Sequence, residues 1–136
     1  MNKPDTITAI TIERAWRGVG NIVIADGRYA VPEKTWLKGV ARTLKDNRKP
    51  YGKANDCDDF AVALKLRAQE LHAMAQPEID GLAVGIVFYK PESTTAGHAI
   101  NWSLTAKGEL WFLEPQNGEE VFLSESERQS VSFVYC

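Results

Sequence analysis

The chain is short of the features that staple, export or anchor a protein. With two cysteines in 136 residues, Cys57 and Cys136, it has no disulfide framework. No run approaches the ~18 apolar residues of a membrane span, and Met1 to Asp5 opens onto no apolar signal-peptide core. The expectation is therefore an intracellular, cytoplasmic chain with no membrane contact, in which a Cys57–Cys136 bridge is disfavoured and Cys136 is a strand-end residue. A formal charge of -2, with Lys and Arg scattered and no basic stripe carrying interleaved aromatics, argues against a nucleic-acid surface. Internal repeats and low-complexity tracts are missing as well.

What is present is the make-up of one globular domain over residues 1–136. The chain is 44% apolar and 25% charged, and is long enough to bury most of its apolar surface. Cys57 heads its best helical pattern. Phe60, Ala61, Leu64, Ala68 and Leu71 follow at three- and four-residue steps, so one face is expected to lie on a core. Asn55 or Asp56 suits the N-cap, and Asp58 and Asp59 the first turn. A thiol there feels the positive end of the helix, which favours the thiolate, while the flanking aspartates oppose it. A compensating positive charge is needed, either an imidazolium or a hard cation held by the aspartates.

Taken in order, residues 7–16 read as a strand or a short helix, Ile22 to Ala25 as a short strand, and Tyr29 to Pro32 as an extended arm. Glu33 to Lys45 carries Trp36, Leu37, Val40, Ala41 and Leu44 on one helical face. The polar loop from Asp46 to Ala54 leads to the Cys57 helix, which is expected to end near Met74, before Pro77. Leu82 to Tyr89 reads as a central strand. His98 to Thr105, Glu109 to Glu114, Glu119 to Leu123 and Val131 to Cys136 read as an antiparallel meander, with a charged turn over Glu125 to Gln129. Helices first and strands after give an α+β fold, with helices packed on one face of an antiparallel sheet.

A hairpin turning near Gly108 sets His98 beside Glu114, so the carboxylate can accept from one ring nitrogen and leave the other to face a thiol. A nucleophile, a base and an orienting acceptor are then available in Cys57, His98 and Glu114. Cys57-Asp58-Asp59-Phe60-Ala61, Gly97-His98-Ala99-Ile100-Asn101 and Glu114-Pro115-Gln116 resemble the papain-like and transglutaminase-like cysteine enzymes. The likeness is strongest to the bacterial transglutaminase-like cysteine proteinases and to the C-terminal protease domain of the mushroom chimerolectin agglutinins. It covers roughly residues 29–117 and implies a papain-like core with Cys57 as nucleophile, His98 as base and Glu114 as orienter. It also implies calcium as an activator, with Asp58 and Asp59 as its carboxylates. Papain's Cys-Gly-Ser-Cys-Trp signature and a glutamine just before Cys57 are missing. Tyr51 or Asn55 stands in as oxyanion donor, Tyr29 and Trp102 as groove walls, and Gln116 as a supporting donor.

The resulting expectation is a cysteine peptidase or amidase that works through a thioester on a peptide or amide substrate, requiring no cofactor, with calcium the ion the resemblance allows, in a bacterial or phage setting. Transglutaminase-like acyl transfer uses the same three residues, and a peptidoglycan amidase is a further variant. The reading from another class is a non-catalytic binding module on the same fold. Singly, each residue also has a plain role: Cys57 as a small core residue, His98 as a bonded strand residue, Glu114 as a surface carboxylate, and the aspartates as caps. His72 reads as solvent-facing or a helix-end residue, and Trp36, Trp102 and Trp111 as core.

Overall fold

The computed structural model describes residues 5–47, 51–53 and 55–136. Residues 48–50 and 54, in the loop before Cys57, lie outside the described residues. The first ambiguous segment is strand and helix in succession, β1 (Thr6–Thr8) running into α1 (Ala9–Ala15). Two short strands follow, β2 (Ile22–Val23) and β3 (Arg28–Ala30), then the expected helices α2 (Lys34–Asp46) and α3 (Cys57–Ala75).

The strand expected over 82–89 is interrupted at Ala83. β4 (Gly81–Leu82) joins a three-stranded sheet in the order β1-β3-β4, whereas β5 (Val84–Tyr89) enters a six-stranded sheet. The hairpin strands β6 (His98–Leu104) and β7 (Leu110–Glu114) follow, then β8 (Glu119–Val121) and β9 (Phe133–Tyr135). The larger sheet runs β2-β9-β5-β6-β7-β8. Only β6-β7-β8 forms the anticipated meander, because β9 returns to pair antiparallel with β5. The charged stretch read as a turn is α4 (Glu125–Gln129), started by Ser124, whose hydroxyl accepts from Glu127 N at 3.2 Å. This short helix carries the chain back across the sheet, a path that β-strand patterning alone does not reveal.

Strand alternation divides the core in two. On one face Val84, Trp111 and Leu113 pack with Leu37, Val40, Ala41, Leu64 and Ala68 of α2 and α3. On the other, Val87, Ile100, Trp102, Leu104, Phe112 and Val134 pack with Ile12 of α1 and with Trp16, which caps that helix. Helices therefore cover both faces, where the sequence reading put them on one. Burying each large aliphatic side chain contributes about 1.5–3 kcal/mol, which fixes the register of β5 and β6 against α3. Gly85 is required where these layers meet, since a Cβ there would overlap the Trp102 ring and the Tyr135 carbonyl. Asn101, fully buried in the middle of β6, donates through Nδ2 to Ala61 O at 2.9 Å and to Gly85 O at 3.1 Å, pinning α3 to the sheet. Both cysteines are free. No helix is long and apolar enough to cross a membrane among the described residues.

Candidate functional site

The β6-β7 register pairs Asn101 with Leu113 and Trp102 with Phe112. Continued outward, it puts Glu114 opposite Ile100, so His98 stands one diagonal from Glu114 on the same face. Glu114 thus lies nearer the turn than the direct partner anticipated from turn counting, yet the side chains still meet. His98 Nε2 donates to Glu114 Oε2 at 2.8 Å, and Glu114 Oε1 accepts from Gln116 N at 3.2 Å. Tyr89, the direct strand partner of His98, holds its ring edge-on to the imidazole at 6.0 Å. Its phenol is pushed up to about 12, first by burial and then by the charges of Glu127 and Glu114. The pair is partly exposed, at 25% for the His98 side chain and 15% for that of Glu114.

Cys57 belongs to the other face. Ala99 and Asn101 turn toward α3, and Cys57 packs against a small cluster of Ala61, Ile86 and Ala99. His98 alternates away with Ile100 and Trp102. The two sets share one end of the sheet, but among the described residues no hydrogen bond joins Cys57 to His98. The expected sulfur–imidazole–carboxylate relay is closed on its carboxylate side only.

Around the thiol the charge is negative. Asp56 is the N-cap of α3, and its backbone N–H donates to Asp59 Oδ2 at 3.1 Å. Ligand atoms of Asp56, Cys57 and Asp58 lie within 4.8 Å of one another. The Asp56 carboxyl is pushed up to about 6, first by its hydrogen bond with Asp58, then by desolvation and the nearby charges of Asp58 and Asp59. Of the two aspartates proposed for a metal, Asp58 is in this group, while Asp59 is engaged as a cap. Tyr51 is exposed, stacks on Phe60 at 6.4 Å and has its phenol pushed up, first by desolvation and then by Cys57, Asp56, Asp58 and Glu114. It is the one predicted residue that feels both sets.

Tyr29 and Trp102 are not groove walls, being 1% and 0% exposed. Tyr29 Oη accepts from Asp26 N at 2.7 Å, and Trp102 Nε1 donates to Ile86 O at 3.2 Å. Asn55 bridges back to Gly52 in the approach to α3, and Gln116 is half-buried beside Glu114. His72 is a helix-end residue in the last turn of α3 but does not face solvent, being buried with Nε2 3.4 Å from Ile79 O. Sequence reasoning missed Tyr89, although its place at the end of an apolar run facing the His98 strand was a usable signal. It also missed the docking role of Asn101, signalled by a lone amide within β6.

Two solved structures have the same fold. One, described as "PSL1a-E64 complex", is 18% identical with a TM-score of 0.74, matching 97% of this chain and 51% of its own. The other, Polyporus squamosus lectin bound to the human-type influenza-binding epitope Neu5Aca2-6Galb1-4GlcNAc, is 19% identical with a TM-score of 0.73, matching 97% and 50%. This chain thus spans about half the length of either. No curated protein matches.

These likenesses correct the hydrolase expectation, and with it the thiol-protease vocabulary and the peptide or amide substrate. The relatives are an agglutinin family and a lectin holding a glycan. Of the resemblances drawn from sequence, the one to mushroom agglutinins stands and the one to transglutaminase-like proteinases has no counterpart. The family described as Agglutinin C-terminal matches residues 29–120, well over half of the chain, and the chain belongs to it.

Proposed function

We propose that this chain is a single, non-catalytic binding domain of agglutinin type, built on a core that keeps the papain-like order of helix and strands, with carbohydrate as its ligand class. The observation that carries the reading is the family match over residues 29–120. The named ligand of the Polyporus squamosus lectin supplies the ligand class. The contact surface is the ledge at the end of the sheet that carries the His98–Glu114 pair, with exposed Tyr51, whose phenol feels the Glu114 charge, beside it. A phenol, an imidazole and a carboxylate with lone pairs to spare offer both donors and acceptors to sugar hydroxyls, and the carboxylate fixes the ring orientation.

The residues present also fit a hard cation in part. Asp56 and Asp58 place two carboxylates together at a cost visible in the raised Asp56, a cost that a divalent ion removes. Their third neighbour, Cys57, offers sulfur, which calcium does not favour. Calcium in this reading is held by Asp56 and Asp58 and supplies charge compensation at the start of α3.

Calorimetric titration with the sialylated trisaccharide tests the function in wild type, Cys57→Ala and His98→Ala. Binding retained in Cys57→Ala and weakened about tenfold in His98→Ala is expected. Hydrolysis of an amide substrate that disappears in Cys57→Ala would overturn the reading.

A further inference from the structure

A groove of about 600 Å³ lies away from this ledge, between α2 and α3. Its volume is in the range of roughly 300–1,000 Å³ typical of small-ligand sites. Trp36, Gly39 and Thr43 line it from one stripe of α2, Asn47 from the cap just after that helix, and Arg67 and Leu71 from α3. Two of these residues are hard to explain by folding alone. Trp36 was expected in the core and is instead 39% exposed. Gly39 sits in the interior of a 13-residue helix, where glycine is poorly suited, and nothing lies within 4 Å of where its Cβ would be. No packing constraint and no positive φ requires a glycine there. Its effect is an open floor at which something can approach the helix backbone beside an exposed indole.

The chemistry around that floor is mixed. Trp36 offers a flat apolar face, and Leu71 an apolar wall. Thr43 offers a hydroxyl and Arg67 offers N–H donors from a guanidinium held by Glu70 at 3.7 Å. Asn47 Nδ2 donates to Thr43 O at 2.8 Å, and the amide keeps its second N–H and its acceptor Oδ1 for a ligand. An aromatic plate beside alternating donors and acceptors suits a ring that is apolar on its C–H face and hydroxylated at its edge.

We infer that the α2-α3 groove is a second ligand site that takes one sugar ring, with the ring stacked on Trp36 over the open floor at Gly39. The inference rests on carbohydrate as the ligand class but not on the ledge at His98 and Glu114. The two sites therefore separate by mutation.

The test is a tryptophan-fluorescence and NMR titration with galactose, N-acetylglucosamine and N-acetylneuraminic acid, each at millimolar concentration. The proteins are wild type, Trp36→Ala, Gly39→Ala, Gly39→Leu and His98→Ala. One of the sugars is expected to saturate wild type with the change read at the Trp36 indole, and Trp36→Ala and Gly39→Leu to weaken it about tenfold or more. Gly39→Ala guards against a folding artefact, because it is expected to raise Tm while still weakening the sugar. Binding that survives Trp36→Ala and Gly39→Leu, or that is lost in His98→Ala instead, would overturn the groove while leaving the ledge standing. Failure of all three sugars on wild type overturns the groove. If the sialylated trisaccharide also fails, the carbohydrate reading fails with it. Concentration-dependent self-association abolished by Gly39→Leu would also overturn it, showing that a second copy covers the floor.

Discussion

The two halves of the predicted constellation differ in how they are built. His98 and Glu114 are neighbours because two strands of one hairpin share a register, so their 2.8 Å contact follows from sheet geometry. Cys57 reaches the same end of the sheet on a helix, held from the opposite face by Asn101 and a small alanine-rich cluster. Backbone register is a strong constraint on side-chain partners, whereas helix docking fixes only the neighbourhood. Residues that share a strand pair can be matched by counting from the turn. Residues on a helix and a strand also need the face, which alternation decides.

The junction between these regions is the place to break the comparison most severely. Gly85→Ala places a methyl group into the Trp102 ring and the Tyr135 carbonyl, and is expected to cost about 3 kcal/mol or more, read as a large drop in the denaturation midpoint. Asn101→Ala removes the hydrogen bond that ties Ala61 of α3 to β6 and the one to Gly85 O of β5, and leaves a small cavity in the core. A loss of about 2–3 kcal/mol is expected, with α3 amides exchanging faster than those of β7 in hydrogen-exchange measurements.

A smaller effect isolates the helix side. Asp56 titrates at about 6 when folded, above its ordinary value of 3.8, so the folded state holds this proton more tightly than the unfolded chain. Its contribution to stability is therefore greatest below about pH 4 and declines as pH rises through about 6. Asp58→Asn is expected to bring the Asp56 titration back toward its ordinary value and to flatten this dependence, as followed by carboxyl NMR. Calcium is expected to act in the same direction, raising Tm more at pH 7 than at pH 5, and to lose this effect in Asp58→Asn. On the strand side, Glu114→Gln keeps an acceptor for His98 Nε2 at a partly exposed site, so a change within about 1 kcal/mol is expected from thermal unfolding.

Much of the fold was legible because periodicity is local. Phe60, Ala61, Leu64 and Ala68 announced α3, and all four are buried. The alternating apolar strands and the glycine turn at Gly108, with φ +82°, announced the β6-β7 hairpin. The path of the last strand was not legible. Nothing within Phe133 to Tyr135 says that it pairs with β5 rather than β8, and that choice depends on α4 and on Ser132 N donating to Phe88 O at 2.9 Å. Of the site, the His98–Glu114 pair was readable. That no hydrogen bond joins Cys57 to His98 among the described residues was not, because it depends on which face of β6 meets α3. Burial likewise ran against residue type for Trp36 and His72, where helix packing outweighed the usual preference of the side chain.

The measurement that tests the central claim most directly is the rate at which iodoacetamide alkylates Cys57 near pH 6, compared between wild type and His98→Ala. It is read by mass spectrometry of the Cys57 peptide, with buried Cys136, whose thiol burial pushes up to about 11, as the internal reference. If sulfur and imidazole belong to separate faces, the two rates agree within about twofold. A fall of about tenfold or more on removing the imidazole would mean that the two groups act together, and the domain would then have to be read as a thiol enzyme.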